Sequence, residues 1–268
     1  MREMGETSEA SEVRARRGRL AVVGLGAGDA RWLTPEAEVA LAQAEALYGY
    51  AGYLDRVPPR AGQSRHPSDN REERARAQAA LEATAAGAKV ALVTAGDPGV
   101  FAMAAAVCEA IEHGPAAWRA LDMVMIPGVT AMLAVAARVG APLGHDFCAL
   151  SLSDNLKPWD TIERRLDAAA GAGFVLALYN PLSRARPWQL GAAFDRLRRH
   201  LAESTPVVFG RAVGRADERV IVTTLANADA ANADMATLII VGSATTRVIA
   251  RAGRAPLVYT PRTGEAGP

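Results

Sequence analysis

Gly24-Leu25-Gly26-Ala27-Gly28 omits a side chain at every second position, so the backbone of this run can approach a ligand closely. Its spacing is wrong for a dinucleotide. That fingerprint needs a third glycine three positions after the second and a helix beginning at once, so that the helix N-terminus meets a pyrophosphate. Here the third glycine comes two positions on, and the first helix-capping residue is Thr34. No acidic residue ends the next apolar run, residues 47–50, where a ribose-binding carboxylate would stand. Gly24, Gly26 and Gly28 therefore read either as a ligand-lining loop or as a plain flexible turn.

Thr94-Ala95-Gly96-Asp97-Pro98-Gly99 carries mixed chemistry. Asp97 can cap a following helix with Pro98 in its first position, a role that needs no ligand. A cap does not require glycine on both sides, and Gly96 and Asp97 at a strand end suit ligand contact. Pro127-Gly128-Val129-Thr130-Ala131 repeats the arrangement one strand later, so a pocket shared by the two loops is expected. Further on, Tyr179-Asn180-Pro181 is followed by Arg184 and Arg186, and Arg211 and Arg215 follow another apolar run. The planar guanidinium fork donates two parallel hydrogen bonds to a carboxylate. Singly, each arginine reads as a solvated residue. Four at strand ends facing one cleft would form an acid-binding rim.

The elements that position these residues alternate short apolar runs with alanine-rich helical stretches, the pattern of an α/β fold. Strands are expected at residues 20–23, 47–50, 89–94 and 121–126, with helices at 34–45, 71–86 (capped by Asp69 or Asn70), 99–113 and 129–139. They compose an N-terminal doubly wound, mostly parallel sheet. Residues 141–144 read as the hinge, giving domains 19–144 and 145–268 after a disordered tail, residues 1–18. The C-terminal α/β domain has strands at 147–152, 174–179, 206–209, 219–224 and 237–241, with helices at 159–170 and 187–203. That strand density predicts a mixed sheet.

Composition narrows the classes. Among 268 residues, 50% are hydrophobic and 22% charged, as in ordinary globular proteins. A net charge of +1 lacks the excess of a nucleic-acid binder, so no nucleic-acid partner is expected. No run approaches the roughly 20 apolar residues of a membrane span, and residues 1–19 lack the apolar core of a signal peptide, so the expected location is cytoplasmic, with no membrane partner. Cys108 and Cys148 read as reduced, buried packing residues. With His66, His113, His145 and His200 scattered, no metal is expected.

In this order the motifs resemble the tetrapyrrole methylase family over residues 19–260. More specific are Gly140-Ala141-Pro142-Leu143-Gly144-His145-Asp146-Phe147-Cys148, Ser151-Leu152-Ser153-Asp154, Pro158-Trp159, Tyr179-Asn180-Pro181, Val208-Phe209-Gly210-Arg211-Ala212-Val213-Gly214-Arg215 and Asp217-Glu218. These resemble the branch that methylates C17 of the macrocycle and contracts the ring. The resemblance implies a two-domain homodimer that binds S-adenosylmethionine and a tetrapyrrole (precorrin) substrate. It places cofactor contacts on Gly96, Asp97, Val100, Thr130, Ala131, Tyr179, Ala212, Thr237 and Leu238. The glycine loop (Gly24, Gly26, Gly28), Asn180 and the four arginines then fall to the substrate. Leu182 stands where the family has arginine, which removes one anionic contact.

Ring contraction implied by the resemblance calls for a general base at the C20 hydroxyl. His145 follows Gly144, and histidine is a side chain able to act as either acid or base, so it serves either as that base or orienting donor, or as a hydrogen-bond partner of the hinge backbone. Asp97 and Asp154 are the rival bases. The competing readings are a sister corrin methylase acting at C20 or C11, or at C17 of a cobalt-containing substrate, an RNA ribose methylase, a nicotinamide oxidoreductase and a non-catalytic binding module.

Overall fold

Alternation along one strand sets the architecture of the N-terminal unit. In β1 (Arg19–Gly24), Ala21 and Val23 enter one apolar core and Leu20 and Val22 the other. Both faces of the sheet must therefore be covered by helices, as parallel sheets require. In the computed structural model, which describes residues 18–263, they are. β2 (Ala46–Tyr50), β3 (Ser64–Ser68), β4 (Lys89–Thr94) and β5 (Asp122–Ile126) join β1 in the order β3-β2-β4-β1-β5, every pair parallel. Helices α1 (Pro35–Gln43) and α2 (Ala51–Leu54) bury Ala37, Leu41 and Leu54 on one face. On the other face, α3 (Glu73–Ala85) and α4 (Met103–His113) bury Ala77, Ala80, Leu81, Met103 and Val107. Thr34 caps α1 as expected, its hydroxyl accepting from the Ala37 N–H at 3.2 Å.

The chain divides into two compact units between Thr130 and Ala131. The sequence reading put the boundary after Gly144. The second unit contains α5 (Ala131–Val139), a short β6 (Gly140–Ala141), β7 (Phe147–Ser151), α6 (Trp159–Gly171), β8 (Val175–Tyr179), α7 (Gln189–Leu197), β9 (Pro206–Arg211), β10 (Arg219–Thr224), β11 (Thr237–Val241), β12 (Arg247–Arg251) and β13 (Arg254–Tyr259). Its five-stranded sheet, β10-β9-β11-β8-β7, is mixed as expected: only β7 and β8 are parallel neighbours. Ile162 and Leu166 of α6 and Leu190, Phe194 and Leu197 of α7 pack on Leu176, Leu178, Phe209 and Ile239. A small sheet, β12-β13-β6, completes the unit. It ties down the segment expected to be a hinge: β6 pairs with β13, and the Thr260 hydroxyl donates to the Pro142 carbonyl at 2.6 Å.

Several expectations are corrected. Neither Asp69 nor Asn70 caps α3, because Arg71 takes a left-handed conformation (φ 69°) and the Asp69 carboxylate accepts from the Asn70 N–H instead. α4 begins at Met103 rather than residue 99, and α7 is shorter than the expected 187–203. β3, β12 and β13 were not anticipated. β3 carries no apolar run, whereas the short runs Val248-Ile249-Ala250 in the exposed β12 and Leu257-Val258-Tyr259 in the partly buried β13 were not assigned to strands. Cys108 is exposed, not buried, while Cys148 is half-buried and its thiol is pushed up by burial. The expected tail lies outside the described residues except for Gly18, which is buried.

On the outer side of this unit, Arg196 of α7 donates to both oxygens of Asp167 on α6 at 2.7 and 2.9 Å, and His200 adds a contact at 2.8 Å. Arg196 holds the Asp167 carboxyl down at about 2, below its ordinary 3.8. A carboxyl depressed in the folded state contributes stability above its unfolded value and loses it as pH falls through the folded one. Asp167→Asn should therefore flatten the acid side of the stability curve between about pH 4 and about pH 2. Urea denaturation of wild type and variant across that window is the check, and parallel curves would remove the pair from the acid response.

Candidate active site

Parallel strands in the N-terminal unit put the ends of β1, β4 and β5 side by side, and the loops leaving them meet backbone to backbone. The Leu25 N–H donates to the Thr94 carbonyl at 2.9 Å, and Gly26 and Gly96 exchange two hydrogen bonds at 3.1 and 3.0 Å. A Cβ on Gly24 would lie 2.6 Å from the Gly96 carbonyl oxygen, and one on Gly128 would run into that same oxygen. These two glycines are there because the three loops touch. Asp97 closes the junction: one carboxylate oxygen accepts from the Gly99 N–H at 2.8 Å, the other from the Gly128 N–H at 3.1 Å. The capping role considered for Asp97 is thus replaced by a brace between the β4 and β5 loops.

The flexible-turn reading of the glycine loop also gives way. Gly24, Gly26 and Gly28 are all buried, and Nη2 of Arg56 donates to the carbonyls of Leu25, Gly26 and Gly28 at 2.9, 2.8 and 2.5 Å. Sequence reasoning missed Arg56, whose position in a charged segment after α2 carries no motif. Val100 follows the braced turn half-buried, and Thr130 is buried. Gly24, Gly26, Gly28, Gly96, Asp97, Val100 and Thr130 therefore share one edge of one sheet, the edge at which open α/β sheets bind ligands.

In the second unit the register performs the same gathering. β7, β8 and β9 end, and β10 and β11 begin, at one edge: Ser151 pairs with Tyr179, and Arg211 with both Thr237 and Arg219. Tyr179, Ala212, Thr237 and Leu238 lie there together. The Tyr179 hydroxyl accepts from the Met132 N–H at 3.1 Å, next to Ala131 at the start of α5. Asn180 and Ala212 adopt left-handed conformations (φ 51° and 48°), uncommon for residues with a Cβ and concentrated at functional sites. The Asn180 side chain donates to Ser151 Oγ at 2.9 Å.

The four arginines do not form a uniform rim. Arg186 is buried, with Nη1 at 3.4 Å from the Leu152 and Asn180 carbonyls and Nε at 3.9 Å from Asp154. Arg211 is clamped at 2.7 Å by each of Asp217 and Asp234, and hydrogen bonds to these carboxylates raise its pKa. Burial pushes the Asp234 carboxyl up, but hydrogen bonds from Thr237 and Arg211 more than reverse that. Arg184 and Arg215 are exposed. Lys157, not singled out from sequence, joins this edge. Its Nζ donates to the Ser153 carbonyl at 3.3 Å, and burial, with Arg165 and Arg186 nearby, pushes its pKa down.

Among the candidate bases, His145 uses Nδ1 to accept the Asp146 N–H at 2.6 Å, the backbone role considered for it. Asp154 accepts from Gln189 at 3.1 Å through one oxygen, while its other oxygen is buried and accepts no hydrogen bond.

The sequence model of the tetrapyrrole (corrin/porphyrin) methylases matches residues 19–229. The chain is 64% identical, over 91% of its length and 96% of the relative's, to a precorrin-3B C(17)-methyltransferase from Sinorhizobium sp. It is 41% identical, over 91% of its length and 98% of the relative's, to a probable cobalt-factor III C(17)-methyltransferase from Salmonella typhimurium. A crystal structure of the methyltransferase CobJ superposes with a TM-score of 0.86 at 46% identity, covering 91% of this chain and all of that one.

The loop junction makes a sharp demand on stability. Gly128→Ala should cost about 1–3 kcal/mol, since a backbone carbonyl cannot yield to the new methyl group. Gly191→Ala in α7, where nothing lies within 4 Å of the added Cβ, should be neutral or stabilising by up to about 1 kcal/mol. Urea midpoints of the two variants check this, and equal midpoints would contradict the packing role of Gly128.

Proposed function

We propose that this chain, which belongs to the tetrapyrrole (corrin/porphyrin) methylase family, transfers a methyl group from S-adenosylmethionine to C17 of precorrin-3B with contraction of the macrocycle, giving precorrin-4 in cobalamin biosynthesis. The observation that carries the reading is the 64% identity to a precorrin-3B C(17)-methyltransferase across nearly the whole of both chains. The lower identity, 41%, to a cobalt-factor III relative favours the cobalt-free substrate.

The residues present fit the donor. We assign Val100, Ala131, Ala212 and Leu238, which are small or apolar, to the cofactor. Asp97 has acceptor capacity beyond the two N–H groups it holds, which suits a hydroxyl or an ammonium. We assign the remaining cofactor contacts to Gly96, Thr130, Tyr179 and Thr237. When bound, S-adenosylmethionine supplies an electrophilic methyl group on a sulfonium. Transfer to a ring carbon is an in-line displacement, so the protein's work is to align the two reactants and exclude water. The braced loops serve alignment, because Asp97 and Arg56 hold them in one conformation before any ligand arrives.

For the substrate, we assign Gly24, Gly26, Gly28 and Asn180 to the macrocycle and the exposed Arg184 and Arg215 to its carboxylates. Arg186 and Arg211, engaged by Asp154, Asp217 and Asp234, hold the loops that present them. We assign the base for the C20 hydroxyl to Asp154, whose Oδ1 accepts no hydrogen bond although the Arg186 guanidinium stands 3.9 Å from it. A homodimer is our reading of the assembly. Among the described residues, no helix is long and apolar enough to cross a membrane.

The test is steady-state turnover with labelled S-adenosylmethionine and either precorrin-3B or its cobalt-containing counterpart. The expected result is a kcat/KM for precorrin-3B at least about tenfold the higher, a difference of about 1.4 kcal/mol. Equal or reversed preference overturns the substrate assignment. Asp154→Asn should accumulate a C17-methylated, uncontracted ring while His145→Ala still contracts it, and the opposite pattern in product masses would return the role to His145.

A further inference from the structure

Arg76 of α3 is only 6% exposed, yet among the described residues no carboxylate lies within ion-pair distance of it. Its partners are all neutral. Nε donates to Ser68 Oγ at 2.6 Å, Nη2 to the Asp69 carbonyl at 2.7 Å, and Nη1 reaches only the thioether of Met103 at 3.4 Å. Sulfur is a weak acceptor, and a buried cation without an opposing charge is costly. The other deeply buried arginine in these loops, Arg186, has Asp154 beside it.

Position adds a second observation. Ser68 ends β3 and Met103 opens α4, both at the sheet edge that carries the Asp97 loop. Two residues before Met103, Phe101 is held at φ 52° with half its surface exposed, and Arg71 at the start of α3 is also left-handed and exposed. For a bulky side chain this is a strained conformation, and such strain gathers where ligands are held.

We propose that Arg76 binds a carboxylate side chain of the tetrapyrrole, with Nη1 exchanging the Met103 sulfur for a carboxylate oxygen and Phe101 lying against the macrocycle beside it. This rests on the tetrapyrrole substrate proposed above. It supplies an anionic contact in the N-terminal unit that none of the four arginines singled out from sequence provides.

Two readouts test it: KM and kcat with precorrin-3B, and the affinity for uroporphyrin, an octacarboxylate macrocycle, by quenching of tryptophan fluorescence. Arg76→Gln should raise KM and weaken uroporphyrin binding about tenfold or more, with S-adenosylhomocysteine affinity unchanged. Arg76→Lys, which keeps the charge, should recover part of the loss, and Met103→Leu, which keeps the packing, should leave both constants within about twofold. Unchanged constants in Arg76→Gln overturn the proposal. So does an equal loss in Met103→Leu and Arg76→Lys, which marks a packing role and decides the matter even if Arg76→Gln does not fold. Arg76-dependent uroporphyrin binding by an enzyme that does not methylate precorrin-3B would overturn the substrate reading and leave the carboxylate site standing.

Discussion

Three loop backbones in the N-terminal unit lie in atomic contact, and the placement of nearly every candidate ligand residue there follows from that contact. The ends of β1, β4 and β5 can meet only because Gly24 and Gly128 offer no Cβ to the Gly96 carbonyl. Once they meet, one carboxylate can hold two of the loops, since Asp97 accepts an N–H from each side of the junction. The glycine loop is then closed from behind by Arg56, which collects three of its carbonyls. A surface assembled this way is made largely of backbone and is held in place before any ligand arrives. Rigid preorganisation is the contribution that displacement from a sulfonium asks of a protein, since no covalent intermediate has to be formed.

The C-terminal unit gathers its residues by register instead. Mixed pairing brings the ends of β7, β8 and β9 and the starts of β10 and β11 to one edge, where Asn180 and Ala212 as well as Gly214 take left-handed conformations. Its charges divide into two kinds. Arg186 and Arg211 are spent on carboxylates of the same unit, so removing either leaves a partly buried anion unpaired as well as deleting a cation. Arg184 and Arg215 are exposed, where an incoming acid can reach them. A row of arginines in a sequence thus mixes residues that build a site with residues that present it.

Which parts were legible from sequence follows from the same physics. Strands buried on both faces, such as residues 89–94 and 237–241, announce themselves as apolar runs, and the expected bounds match those observed. β3 carries no such run, and β12 and β13, whose short apolar stretches are not buried on both faces, were missed as well. Asp97 and Pro98 are the residues of a helix start, but α4 begins later because the carboxylate is drawn to Gly128, a partner distant in sequence that no local pattern reveals. Arg56 and Arg76 escaped for a related reason: their importance lies in what surrounds them, and burial of a guanidinium cannot be read from its neighbours along the chain.

The account stands or falls on where the methyl group goes. Precorrin-3B incubated with the protein and S-adenosylmethionine carrying a carbon-13 methyl should give a product whose carbon-13 spectrum has one enriched methyl resonance, correlated to C17 of a contracted macrocycle. An enriched methyl at C11 or C20, or no enrichment in the tetrapyrrole, would contradict it.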